Sequence, residues 1–237
     1  MAASERRSEP VSTYPTWSGN RSARVLIVDD HPAAREGLAI RISLQPDLEV
    51  CGEACDVAEA LEFVESRNPD VVIIDISLKT GNGMDLIKRI KSRCEPVLML
   101  VWSMHHDTLY AERALRAGAS GYITKAQATE KIIDAIRQVL AGKIYLSESM
   151  SDLILQRTVG SRVGRLESSP LEGLADRELE VFQLIGQGLD TQQVADWMHV
   201  SPKTVETYRL RIKGKLHLDS SRQLVQRAVL WVAENSV

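Results

Sequence analysis

Val25-Leu26-Ile27-Val28-Asp29-Asp30-His31-Pro32 is four apolar residues followed without a gap by two carboxylates, an imidazole and a proline. A short apolar run closed by turn-forming residues reads as a buried strand, and Pro32 suits a first helical position, where a missing N–H leaves nothing unpaired. The pattern repeats downstream. A helical stretch follows Pro32, a second apolar run lies near Leu48 to Cys51, and another helix spans Val57 to Glu65. Val71 to Ile74 reads as a strand, Met84 to Lys91 as a helix after the breaker Asn82-Gly83, and Val97 to Trp102 as a strand. Thr108 to Ala117 reads as a helix stopped by Gly118, Gly121 to Ile123 as a strand, and Thr129 to Leu140 as a helix. Five strands alternating with helices predict an α/β domain, a doubly wound parallel sheet covered on both faces.

Ligands bind open parallel sheets beyond the carboxyl ends of the strands. Asp29 and Asp30 directly follow the first strand, Asp75 ends the third, Ser103 follows the fourth and Lys125 comes just after the fifth. Three carboxylates converging there repel one another unless a cation joins them, and hard oxygen donors suit Mg²⁺. Unrelated surface acids would explain any one of these positions, but poorly a set in which each follows a strand end.

Val25 to Pro32, Asp75-Ile-Ser-Leu78, Ser103 and Gly121-Tyr-Ile-Thr-Lys125 resemble the receiver domain of bacterial two-component response regulators, a five-stranded flavodoxin-like fold, over nearly all of Arg24 to Gly142. The resemblance implies that Asp75 is the phosphoacceptor, taking a phosphoryl group from a sensor histidine kinase. It implies that Asp30, Asp75 and the Ser77 carbonyl ligate Mg²⁺, with Asp29 acting through water. A carboxylate nucleophile needs its own charge and that of the incoming phosphoryl neutralised, a task for the metal and Lys125. Ser103 would hydrogen-bond the new phosphoryl oxygens, and Tyr122 would swing inward as Ser103 moves, altering the face made by the fourth helix, fifth strand and fifth helix. Lys79 stands where the family often has Pro, and Ala126 follows Lys125 where Pro is common. Both are loop changes that leave the reactive groups in place, and a cis bond at Ala126 would cost ~3 kcal/mol. His31 reads as a loop residue at a helix start, His105 and His106 as a solvated turn, and Trp102 as packing beside the switch.

From Leu171 onward the pattern is helical throughout. Asp190 suits an N-cap with Gln193 three residues on, and Val194, Ala195 and Met198 give one apolar face. Ser201 caps a second helix with Pro202 at its first position, and Val205, Ile212 and Leu216 form its buried side. Five bases against one acid between Lys203 and Lys215 make a local basic stripe, and the short-helix, turn, longer-helix order fits a helix-turn-helix in the major groove. Leu174-Ala-Asp-Arg-Glu178, Val181, Gly188, Val194-Ala195, Ser201-Pro-Lys-Thr-Val205 and Ile212-Lys-Gly-Lys-Leu216 resemble the LuxR-type helix-turn-helix. Receiver and helix-turn-helix in this order is the layout of NarL/FixJ-type transcriptional regulators. The resemblance implies that Glu206, Thr207 and Leu210 face base edges of an operator, while Lys203, Thr204, Tyr208, Arg211 and Lys215 touch phosphates. It departs at Ala175, where the family usually caps with Ser or Thr and Asp176 is expected to take over, and at Tyr208, commonly His. Glu206 would be repelled by phosphates unless it accepts from a cytosine amino group.

Around these two units the remaining chain is punctuation. Residues 1–22 lack apolar periodicity and read as a disordered tail, 23–146 as the receiver, 147–169 as a linker with a short apolar patch at Leu153 to Leu155, and 170–237 as the helix-turn-helix domain. A length of 237 residues suits two domains, and 44% hydrophobic with 26% charged residues is a soluble globular composition. No apolar run approaches the ~20 residues of a membrane span, and no secretory signal core follows Arg6 and Arg7, so the protein is expected in the cytoplasm. Cys51, Cys55 and Cys94 are too few for a disulfide framework, and a net charge of −3 confines nucleic-acid binding to a local patch. The expected function is a DNA-binding regulator, not an enzyme, that is phosphorylated on Asp75 and forms a homodimer on a two-half-site operator. The alternative is a phosphorylation-gated interaction module that binds no DNA.

Overall fold

The computed structural model describes residues 21–93, 96–104, 108–148, 150–152, 154–155 and 170–235. Met1 to Asn20, Cys94, His105, His106 and Leu153 lie outside them, so the expectations placed there have no structural counterpart. Strands β1 (Ala23–Val28), β2 (Leu48–Ala54), β3 (Val71–Ile74), β4 (Leu98–Ser103) and β5 (Gly121–Thr124) form one sheet in the order β2-β1-β3-β4-β5, all parallel. Successive side chains of a strand point to opposite faces, and the core divides accordingly. Val25, Ile27, Val71, Ile73, Leu98 and Leu100 meet α1 (Pro32–Ser43) and α5 (Lys125–Leu140) through Leu38, Ile42, Ile132 and Ile136. Leu26, Val28, Val72, Ile74, Met99 and Val101 lie in the opposite layer with α2 (Val57–Arg67), α3 (Gly83–Arg93) and α4 (Thr108–Ala117). Strand order reverses between β1 and β3, so a crevice opens where Asp29, Asp30 and Asp75 lie.

Local chemistry sets the element ends. Asn82 Oδ1 accepts from the Met84 amide at 2.7 Å, which starts α3, and Gly118 closes α4 with φ +114°. β2 runs three residues past Cys51 because Ala54 still pairs with Val28. α5 starts at Lys125 rather than Thr129, because Thr124 Oγ1 accepts from the Gln127 amide and caps the helix there. The segment expected as linker carries helical backbone at 148, 150–152 and 154–155, with Met150 buried.

A 3₁₀ turn at Pro170–Gly173 leads into α6 (Asp176–Gly186), α7 (Thr191–Trp197), α8 (Pro202–Lys215) and α9 (Ser221–Asn235). Phe182 of α6 meets Trp231 of α9 with ring centroids 5.7 Å apart, and a Cβ on Gly186 would lie 2.4 Å from the Ala228 carbonyl oxygen, so the backbones of these helices approach closely there. Asp190 and Gln193 form the expected capping box, and Ser201 Oγ accepts from the Thr204 amide at 3.1 Å. The capping expected of Asp176 is not observed. Asp176 is the first helical residue, and the Glu178 carboxylate instead accepts from the Ala175 amide at 2.7 Å. Asp176 is occupied by the other domain, with Lys88 Nζ at 2.9 Å and Arg113 Nη1 at 3.1 Å. Arg113 also donates to the carbonyls of Leu171 and Leu174, both at 2.8 Å, so one guanidinium of α4 holds the start of the helical domain. Among the described residues no helix is long and apolar enough to cross a membrane.

Candidate phosphoacceptor pocket and nucleic-acid interface

At the crevice, Asp29, Asp30 and Asp75 are all buried, because each leaves a strand that is covered on both faces. Lys125 Nζ bridges two of them, 2.6 Å from Asp29 Oδ2 and 2.7 Å from Asp75 Oδ2. Burial raises the Asp75 pKa to about 6, with the Asp29 charge adding to the rise and Lys125 opposing it. For Lys125 burial disfavours the ammonium, yet Asp75 and Asp29 outweigh this and hold its pKa above the ordinary lysine value. Ser103 ends β4 fully buried, and Tyr122, expected to swing inward, is buried on β5. Lys125 Nζ also lies 5.0 Å from the centre of the Trp102 ring, so this tryptophan stands at the pocket as well as in the core.

The donors suit a hard divalent cation. One ligand atom from each of Asp29, Asp30, His31 and Asp75 falls within 4.8 Å of the others. Asp30 Oδ1 is buried and receives no hydrogen bond of good geometry, although His31 Nδ1 is 2.8 Å away. An anionic oxygen left in that state is costly without a cation. His31 caps α1 through its backbone, as expected of a helix-start residue, but its ring leans on both acids, 3.3 Å from Asp29 Oδ1. Receivers generally bind Mg²⁺ at such an acidic pocket.

Above the crevice a cavity of about 440 Å³ is lined from below by Asp30, His31 and Ser77, and from above by Arg177, Glu180 and the α7 end around Trp197. Glu180 is only 1% exposed, with Arg177 Nη1 3.0 Å from its Oε2. Burial raises its pKa and the Asp75 charge adds to the rise, against Arg177 and the Ser77 hydroxyl. Arg177 also donates to the Gly81 carbonyl in the loop between β3 and α3. Sequence patterning does not single out Arg177 and Glu180. The available signal is an acid, Glu180, set between the buried Leu179 and Val181, with a base, Arg177, three residues before it on α6.

On α8 the expected readers Glu206, Thr207 and Leu210 are exposed, Leu210 to 66%, as are the expected phosphate contacts Lys203 and Arg211. Thr204 and Tyr208 are half-buried. Leu210 is a large apolar side chain that nothing in the domain covers. Two members of the basic stripe are engaged inside the domain. Arg209 lies 3.5 Å from Glu206 Oε1 and donates to Thr191 Oγ1, whose hydroxyl in turn donates to Glu206 at 2.8 Å. Glu206 therefore carries its own counter-charge. Lys215, expected at a phosphate, places Nζ 2.6 Å from the buried Glu178 Oε2 and ties α8 to α6.

Residues 25–137 match the response regulator receiver domain, and residues 172–228 match the bacterial regulatory proteins of the luxR family. The chain is 34% identical over 209 residues to the oxygen regulatory protein NreC of Staphylococcus carnosus, covering 87% of this chain and 96% of NreC. The chain belongs to the LuxR-type response regulators. The DNA-binding transcriptional activator DevR/DosR of Mycobacterium tuberculosis is 33% identical over 200 residues, 84% of this chain and 91% of the relative. RcsB of Salmonella enterica, solved bound to a promoter with the phosphomimetic BeF3−, shares the fold at 22% identity with a TM-score of 0.60, over 88% of this chain and 98% of its own. LuxR-type response regulators are transcription regulators and not enzymes, which sets aside the alternative of a module without DNA binding. Regulators of this type bind DNA and dimerise.

Proposed function

We propose that a sensor histidine kinase phosphorylates this LuxR-type response regulator on Asp75, and that the phosphorylated chain pairs on a two-half-site operator. The observation that carries the reading is the grouping of Asp29, Asp30, Asp75 and Lys125 at the strand ends on either side of the sheet's reversal. Asp30, Asp75 and the Ser77 carbonyl would hold Mg²⁺, with Asp29 acting through water. When bound, the ion supplies positive charge that offsets the attacking carboxylate and the transferring phosphoryl oxygens. Lys125, now shared between Asp29 and Asp75, would turn to a phosphoryl oxygen, and Ser103 would donate to another. Tyr122, packed next to this strand end, transmits the change to the face of α4, β5 and α5.

For the helical domain, Lys203, Thr204, Tyr208 and Arg211 would contact phosphates, and Thr207 and Leu210 would meet base edges, with Leu210 suited to a thymine methyl. Glu206, balanced by Arg209, would accept from a cytosine amino group. Lys215 is better placed to hold α8 than to reach DNA. A regulator that works on chromosomal DNA would act in the cytoplasm. Intact mass after incubation with acetyl phosphate tests the pocket: one phosphoryl group on the wild type with Mg²⁺, and none on Asp75→Asn or without metal, is the expected result. Uptake by Asp75→Asn equal to wild type would refute Asp75 as the acceptor.

A further inference from the structure

Among the described residues, Glu180 is the buried carboxylate that comes to the phosphoacceptor pocket from the other domain. It is 1% exposed, shares a cavity with Asp30 and Ser77, and has Arg177 as its ion-pair partner. Arg177 in turn holds the Gly81 carbonyl, and Asp176, at the start of the same helix, holds Lys88 and Arg113. α6 is thus pinned to the receiver by the contacts of Asp176 with Lys88 and Arg113 and by the Arg177 hydrogen bond to Gly81, while the Arg177–Glu180 pair, internal to α6, lies above the acids. A pocket already containing three carboxylates has a fourth brought to it by docking of the helical domain.

Resting on the reading of Asp75 as phosphoacceptor, we propose that the helical domain completes the phosphorylation site and that Glu180 governs it. In the transfer, an Asp75 oxygen forms a bond to phosphorus, the bond between phosphorus and the donor's leaving oxygen breaks, and acetate departs when acetyl phosphate is the donor. The charge at Asp75 then goes from one negative to two. Glu180 opposes that step. The same negative charge favours a divalent cation beneath it, so Glu180 acts with opposite sign on metal binding and on phosphoryl acceptance. Because linkage is reciprocal, whatever docking of α6 costs the phosphorylated state, phosphorylation costs docking. Glu180 therefore makes release of the helical domain a direct electrostatic consequence of the new charge, without requiring the signal to travel through α4, β5 and α5.

The test uses full-length wild type, Glu180→Gln, Asp176→Ala, the double variant and Asp75→Asn. Phosphoryl uptake from acetyl phosphate at saturating Mg²⁺ is followed by intact mass, and Mg²⁺ affinity without donor by calorimetry. Glu180→Gln should accept phosphoryl about 5–10-fold faster while binding Mg²⁺ about 3-fold more weakly, the scale of one nearby charge in a partly screened site. A purely structural loosening would not move the two in opposite directions through a single neutralised oxygen. Asp176→Ala, which frees α6 from Lys88 and Arg113, should raise the rate similarly, and adding Glu180→Gln to it should give no further gain. If Glu180→Gln does not fold, Asp176→Ala alone carries the test. Wild type that is phosphorylated on Asp75 at the same rate as Glu180→Gln, or as Asp176→Ala in that case, overturns the role of Glu180. Wild type that takes no phosphoryl group overturns the reading of Asp75 itself.

Discussion

Lys125 Nζ lies 2.6 Å from Asp29 Oδ2 and 2.7 Å from Asp75 Oδ2, so one ammonium occupies the space between two buried carboxylates from different strands. It joins the end of β5 to the ends of β1 and β3. Removing it leaves two buried acids facing each other. Lys125→Met should lose roughly 3–5 kcal/mol of stability in chelating buffer, the range for breaking a buried pair. Part of that loss should return with Mg²⁺. Urea unfolding with and without the ion checks this, and equal loss in both buffers would mean that metal and lysine do not share the same charge.

The raised Asp75 pKa has a pH signature. Its folded value of about 6 lies above the ordinary 3.8, so between these limits the folded chain binds more protons than the unfolded one. The stabilisation from the protonated form is complete below pH 3.8 and is lost as pH rises through 6. In metal-free buffer, Asp75→Asn should therefore gain stability relative to wild type as pH goes from 4 to 7, by an amount on the order of 2–3 kcal/mol. Paired melting curves across that window measure the difference. A flat difference would show that Asp75 is ionised alike in both states.

Gly83 is held close beneath the pocket. A Cβ there would lie 2.1 Å from the Asp75 carbonyl oxygen and 2.8 Å from Ile76 Cα, and both are backbone atoms that cannot rotate away. Gly83→Ala should push α3 from the strand end, cost about 2 kcal/mol or more, and weaken Mg²⁺ binding through displaced Asp75. Denaturation and calorimetry on one preparation check both effects, and unchanged values would show that the loop can yield there.

Lys203 and Lys215 should separate cleanly. Lys203 is exposed at the start of α8, so Lys203→Ala should weaken binding to all sequences alike and reduce the salt slope by about 1. Lys215 is paired with buried Glu178, so Lys215→Ala should destabilise the helical domain by about 1–3 kcal/mol while leaving the salt slope unchanged. Anisotropy titrations over a salt series, with melting curves alongside, tell the two apart.

Element type and order were legible in the chain because they follow from local periodicity. Val25 to Val28 and Val71 to Ile74 are too short and too uniformly apolar to be anything but buried strands between helical stretches. The acids directly after them had to emerge at one edge of a parallel sheet. Asp190, Ser201 and Pro202 announced their helix starts because capping is a contact between residues three apart. Which charges neutralise which was not legible. Arg209, three residues on in the same helix, is a local partner of Glu206, but Thr191 reached Glu206 only through packing, Lys215 looked like a phosphate ligand until α6 brought Glu178 to its ammonium, and Asp176 looked like a cap until Lys88 and Arg113 claimed it. Sequence by itself determined the two folds and the positions of their reactive groups, since backbone periodicity and capping are short-range. Only the tertiary structure decided the partners, Glu180 over the acidic pocket above all, since an ion pair between distant segments depends on how elements pack and not on the residues that flank it.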